Sequence, residues 1–78
     1  MARVTLLSRP GCHLCDQARD VIAAVCADLG EQVEEIDIDS SAALAQRYGE
    51  EIPVTLVDGR QIGFWHVDQE RLRAALTR

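Results

Sequence analysis

Apolar residues recur along this chain in two rhythms, a short one that suits strands and a longer one that suits helices. Val4-Thr5-Leu6-Leu7 is rich in β-formers and runs into Ser8-Arg9-Pro10-Gly11, where proline and glycine punctuate the chain, so a first strand and its turn are predicted. From Leu14 the apolar positions Ala18, Val21, Ile22, Val25 and Leu29 follow at spacings of 4, 3, 1, 3 and 4, which lays one stripe along a helix of about four turns. Asp16, Gln17, Arg19, Asp20 and Asp28 fall off that stripe, and Gly30 suits the residue that closes the helix.

A second strand is predicted from Val33 to Ile38, with apolar residues at 36 and 38. Asp39 or Ser40 is the expected cap of a short helix through Leu44 to Tyr48, one turn apart on one face, which Gly49 ends. Val54 to Val57 reads as a third strand. Asp58-Gly59 supplies the positive φ torsions of a two-residue hairpin, turning the chain into a fourth strand near Gln61 to Gly63. Asp68 is the expected cap of a last helix running to the C-terminus. Val67 before that cap and Leu72 at the fourth helical position form a hydrophobic staple, and Leu76 continues the buried face. The order βαβαββα joins a parallel crossover to a hairpin, which one mixed four-stranded sheet flanked by helices accommodates, an α/β fold.

At 78 residues the chain is long enough for one core and not two, and with 47% apolar and 27% charged residues it is too apolar for disorder. A formal net charge of −5, from 13 acidic residues against 8 arginines and no lysine, argues against a polyanion-binding surface, so nucleic acid is not an expected partner. No stretch approaches the roughly 20 apolar residues that span a bilayer, and no signal-peptide core follows Arg3. A cytoplasmic monomer without membrane partners is therefore expected.

Three cysteines, an odd count, do not suit a stapled secreted scaffold. Cys12 and Cys15 form a CxxC at the predicted junction of strand and helix. Unpaired N–H groups and the positive end of the helix dipole would there favour a thiolate on Cys12, lowering its pKa below about 8.5. Cys12 is expected to attack and Cys15, within the first turn, to resolve the mixed disulfide. A structural zinc site would need a second ligand pair, which the chain does not offer, whereas a cluster shared between two chains and completed by an external thiol stays open. Cys26 falls beside the apolar stripe and reads as a packing residue. Arg9, three residues before Cys12, and His13, directly after it, are candidate neighbours of the thiolate. Arg9 could also clamp a substrate carboxylate, while plain solvent exposure is the alternative for both.

Pro53 stands between Ile52 and the third strand, a position compatible with a cis bond. Such a bond would turn the Ile52 backbone outward, where an extended peptide or thiol could pair with it beside the nucleophile.

Cys12-His13-Leu14-Cys15 after strand one, Tyr48-Gly49 closing the second helix, Ile52-Pro53-Val54 opening strand three and the Asp58-Gly59 hairpin together resemble the glutaredoxin-like branch of the thioredoxin-fold superfamily. The resemblance covers nearly the whole chain and implies one glutaredoxin-like domain over residues 1–78. It implies Cys12 as nucleophile, Cys15 as resolving thiol, a cis Pro53, and Arg9 as the basic residue three before the nucleophile. His13, Leu14 and Ile52 would then complete the substrate-contacting set. Departures are equally legible. His13 and Leu14 replace the proline and tyrosine common between the cysteines. Phe64 stands where a second glycine is usual after Ile62-Gly63, and Val67 where an acidic residue helps hold the γ-glutamyl end of glutathione. These changes weaken the case for glutathione as reductant. The resemblance is strongest to short glutaredoxin-like proteins, and thiol-disulfide exchange with protein or low-molecular-weight disulfides is expected, with no required cofactor. A non-catalytic binding module or a [2Fe-2S] carrier on the same fold is the alternative. The bulky pair Phe64-Trp65 is expected in the core or against a helix end, with closure of the groove as an apolar patch as the other possibility.

Overall fold

The computed structural model describes residues 2–77. Four strands, β1 (Val4–Ser8), β2 (Val33–Asp37), β3 (Val54–Val57) and β4 (Arg60–Phe64), form one sheet in the order β2-β1-β3-β4. Three helices, α1 (His13–Leu29), α2 (Ala42–Tyr48) and α3 (Gln69–Leu76), cover its faces. β1 runs parallel to β2, from Val4 opposite Val33 to Ser8 opposite Asp37, and antiparallel to β3, from Val4 opposite Val57 to Leu7 opposite Val54. β3 and β4 form an antiparallel hairpin whose register shifts between Thr55 and Leu56. The ends of β1, β2 and β4 and the start of β3 therefore share one end of the sheet.

The pleat divides the core in two. Val4 and Leu6 of β1 and Val57 of β3 point to the face covered by α1 and α3, where Ala18, Ile22, Val25, Cys26, Leu72 and Leu76 join them. Leu7 and Val54 point to the opposite face and meet Ile38, with Leu44 and Tyr48 of α2 packed against them. Each fully buried Leu or Ile contributes roughly 1.5–3 kcal/mol. In a chain this short a single truncation is felt globally.

Capping follows the pattern read from the residues at three places. Gly30 closes α1 at φ 70°, the left-handed torsion that costs other residues strain. Asp58 and Gly59 turn the hairpin at φ 52° and 82°. Asp68 caps α3, its Oδ1 accepting the N–H groups of Glu70 and Arg71 at 3.0 and 3.2 Å, and Val67 packs against the α1/α3 core that contains Leu72. α3 ends at Leu76 with Thr77 as its cap; the expected continuation to residue 78 lies outside the described residues.

Three expectations need correction. β2 stops at Asp37, and Ile38, read as its last residue, instead begins a 3₁₀ turn over Ile38–Ser40 that drives its side chain fully into the core. The Asp37 carboxylate caps this turn by accepting the N–H of Asp39 at 2.9 Å. Neither Asp39 nor Ser40 caps α2. The Ser40 hydroxyl donates back to the Asp37 carbonyl at 2.6 Å, which leaves Ser41 to accept the Leu44 N–H. β4 is longer than predicted, because Phe64 still pairs with Val54. Among the described residues no helix is long and apolar enough to cross a membrane.

Candidate functional site

The turn between β1 and α1 carries Gly11 at φ 79° and delivers Cys12 in extended conformation to the N-cap of α1. A cap side chain normally offers oxygen to the first free N–H groups of a helix. Here the sulfur takes that place, and the Cys15 N–H donates to Cys12 Sγ at 3.2 Å. Cys12 is partly exposed, while Cys15 is completely buried. Burial, followed by a hydrogen bond with the Cys12 sulfur, pushes the Cys15 thiol up to about 11, against a smaller downward pull from the Arg9 backbone and the Arg19 charge. Cys26 lies in the α1/α3 core, and burial pushes its thiol up too. All three cysteines are free thiols.

The remaining predicted residues gather around this turn with unequal roles. His13 is the exposed first residue of α1, and Leu14 behind it is half-buried. The Arg9 guanidinium is bound at both ends of the Asp39 carboxylate, Nε to Oδ2 and Nη2 to Oδ1, each at 3.1 Å. The cation expected to clamp a substrate carboxylate thus already holds one, contributed by the 3₁₀ turn thirty residues on. The hydrogen bond to Asp39 is the main reason its pKa is raised.

Across the sheet end, Pro53 is buried, the Ile52–Pro53 bond is cis, and Ile52 is half-buried. Because Val54 pairs with Leu7, this segment lies beside the strand that leads into Cys12. Among the described residues the Ile52 backbone makes no backbone hydrogen bond.

Two features escaped the sequence reading. Trp65, at φ 65°, straps the segment before β3. Its N–H donates to the carbonyls of Pro53 at 2.8 Å and Glu51 at 3.3 Å, and its indole N–H donates to the Glu50 carbonyl at 3.0 Å. Phe64 meets it edge-on, with ring centroids 5.0 Å apart, and the two side chains are 48% and 50% exposed. The core position expected for this pair is wrong. The hydrogen bonds to Glu50, Glu51 and Pro53 hold this left-handed turn beside the entry to β3, with both aromatic residues half-exposed.

Arg19 is the second missed residue, although its i,i+3 spacing from Asp16 was visible in the sequence. Its guanidinium forks onto Glu35 of β2 with Nε–Oε1 at 2.7 Å and Nη2–Oε2 at 2.6 Å, and reaches Asp16 at 2.8 Å. Ser8 at the end of β1 donates to the same Glu35 carboxylate at 2.7 Å. The network bolts the first turns of α1 to β1 and β2 and floors a groove of about 440 Å³ beneath Pro10 and Gly11. Hydrogen bonding from Arg19, with Ser8 assisting, holds the Glu35 carboxyl below its usual range. Among the described residues no three His, Cys, Asp or Glu side chains converge as a metal site.

Comparison with known proteins extends this picture. Residues 3–77 match the family described as Glutaredoxin-like domain (DUF836). The uncharacterized protein Rv0508 of Mycobacterium tuberculosis is 37% identical over 81 residues, covering 97% of this chain and 84% of that protein. The X-ray structure of protein XcR50 from X. campestris superimposes with a TM-score of 0.77 at 40% identity, over 94% of this chain and 93% of that one. Holo glutaredoxin C1 from Populus tremula x tremuloides shares the fold with a TM-score of 0.59 at 21% identity, over 96% of this chain and 83% of its own.

Proposed function

The chain belongs to the Glutaredoxin-like domain (DUF836) family and has a thioredoxin fold, and from that premise we propose that it is a thiol-disulfide oxidoreductase reducing protein or small-molecule disulfides through Cys12 and Cys15. The observation that carries this reading is the asymmetry of the two thiols. Cys12 is accessible, with its sulfur on a helix-terminal N–H, and Cys15 lies buried beneath it with its proton held to about 11.

The Cys12 thiolate attacks one sulfur of the substrate disulfide, forming a mixed disulfide and expelling the other sulfur as a thiolate. Two of the influences that raise the Cys15 pKa are its hydrogen bond with the Cys12 sulfur and the charge on that sulfur. Both disappear once Cys12 is bonded to substrate. Cys15 therefore becomes easier to deprotonate at the step that needs it, its proton passing to the departing thiolate or to water. Cys15 then attacks Cys12 Sγ and releases the second substrate sulfur. Two electrons have moved from the dithiol to the substrate, leaving a Cys12–Cys15 disulfide.

An external dithiol suits the return step better than glutathione. Arg9 is committed to Asp39, Phe64 adds bulk, and half-buried Val67 offers no polar group where one would be needed. A reducing compartment such as the cytoplasm would keep the pair in its dithiol form. The test follows the pre-reduced protein with a neutral small disulfide in single turnover, then measures turnover with dithiothreitol and with glutathione. Reduction that requires Cys12 and runs faster with the dithiol is expected. Equal rates after Cys12→Ser would overturn the proposal.

A further inference from the structure

Strand register sets three features in a row across one end of the sheet. Leu7 pairs with Val54, and Val54 pairs with Phe64, so the Cys12 turn, the unpaired Ile52 backbone and the Phe64-Trp65 pair lie side by side. Two half-exposed aromatic rings at that position are an apolar docking surface. Trp65 is pinned by its hydrogen bonds to Glu50, Glu51 and Pro53, so little order has to be imposed when something docks.

Charge names the occupant. Glu50, exposed, and Glu51, half-buried with its carboxylate accepting from the Gln61 amide at 3.0 Å, immediately precede Ile52, and exposed Asp37 ends β2 at the same end. Two of the cations there are ion-paired, Arg9 with Asp39 and Arg19 with Asp16 and Glu35, while Arg47 lies over the Tyr48 ring with its guanidinium carbon 5.1 Å from the centroid and keeps its charge. Behind Phe64, Arg71 lines a cleft of about 190 Å³ together with Asp68. What faces outward is an aromatic surface edged by carboxylates, a setting that favours lysine and arginine through ion pairing and contact with the indole face.

We propose that the preferred substrate is a disulfide within an extended, cationic polypeptide segment, which pairs with the Ile52 backbone, rests an apolar side chain on Phe64 and Trp65, and sets basic residues against Glu50 and Glu51. This substrate assignment rests on the dithiol reading above.

The experiment compares two peptide disulfides, identical except for lysine or glutamate flanking the cysteines, with neutral hydroxyethyl disulfide as a third substrate. Each is mixed with pre-reduced protein and followed by stopped flow at low salt and at about 0.5 M salt. The lysine peptide is expected to react at least about tenfold faster than the glutamate peptide at low salt, with the gap closing at high salt. Replacing the carboxylates through Glu50→Gln and Glu51→Gln should move the ratio of the two rates towards one. If hydroxyethyl disulfide is reduced but the two peptides react equally at low salt, or the glutamate peptide reacts faster, the substrate assignment is overturned while the dithiol reading stands. If no disulfide is reduced, the dithiol reading fails and the substrate assignment fails with it.

Discussion

The Cys15 N–H lies 3.2 Å from Cys12 Sγ, so the contact that caps α1 is also a contact to the reactive sulfur. Helix formation and thiol placement are therefore one event, and loosening the first turn of α1 would loosen the nucleophile with it.

Alkylation should separate the three thiols. In reduced protein near neutral pH, Cys12 should react first, because Cys15 and Cys26 are buried and burial raises both their thiols. Each unit of pKa elevation removes about tenfold of the thiolate fraction, before hindered access is counted. Mass mapping after partial labelling checks the order, and preferential modification of Cys15 would reverse the assigned roles. Cys15→Ser should leave the first attack intact and accumulate a mixed disulfide on Cys12.

Alkaline stability should depend on Cys15. Its thiol is raised in the folded protein, so its contribution is complete below the unfolded value near 9 and is lost as pH climbs towards about 11. A shift of that size corresponds to roughly 2–3 kcal/mol across the interval. Urea denaturation of the reduced protein at rising pH should show this loss, and Cys15→Ala should flatten it, leaving the smaller slope due to Cys26. Identical slopes for parent and variant would exclude Cys15 as the source.

Trp65→Phe should loosen the strap without emptying the aromatic contact. The change removes the indole N–H that reaches the Glu50 carbonyl while keeping a ring beside Phe64. A loss of about 0.5–1.5 kcal/mol is expected, the ordinary worth of one such hydrogen bond. Far-UV circular dichroism during urea titration reads it, since the chain's one tryptophan is the residue removed.

Arg19→Gln should raise the titration of Glu35, because the guanidinium is the main influence holding that carboxyl low. The stability Arg19 lends through this pair is present at neutral pH and is lost as pH falls through the Glu35 titration in the folded protein. Parent and variant should therefore differ in urea midpoint near neutral pH and converge in acid. Carbon-detected NMR of the Glu35 carboxyl gives the same answer at the residue.

Local signals carried much of this architecture. The stripe from Leu14 to Leu29, the positive torsions of Asp58-Gly59 and the Asp68 cap are decided within a few residues, and each is where the sequence places it. The segment Asp37-Ile38-Asp39-Ser40-Ser41 misled because it offers four polar side chains able to cap. The choice among them was made by Ile38, which the α2-side core draws in at the cost of strand geometry. Arg9 and Arg19 find partners 30 and 16 residues away, and no local pattern announces such pairs. Trp65 was illegible for a different reason. A bulky residue at positive φ goes against ordinary backbone preference, and it persists because bonds to Glu50, Glu51 and Pro53 outweigh that preference.

β2 lies at an open edge of the sheet, and of its five residues only Ile36 is not exposed. An unprotected strand edge invites the same edge of another copy to join it, extending the sheet from molecule to molecule. Glu34, Glu35 and Asp37 occupy most of this strand, so two such edges brought together would align carboxylate against carboxylate. Glu35 is paired with Arg19, so most of that repulsion falls to the exposed Glu34 and Asp37. The strand that anchors the reactive end of α1 thereby also discourages pairing of two copies through their β2 edges.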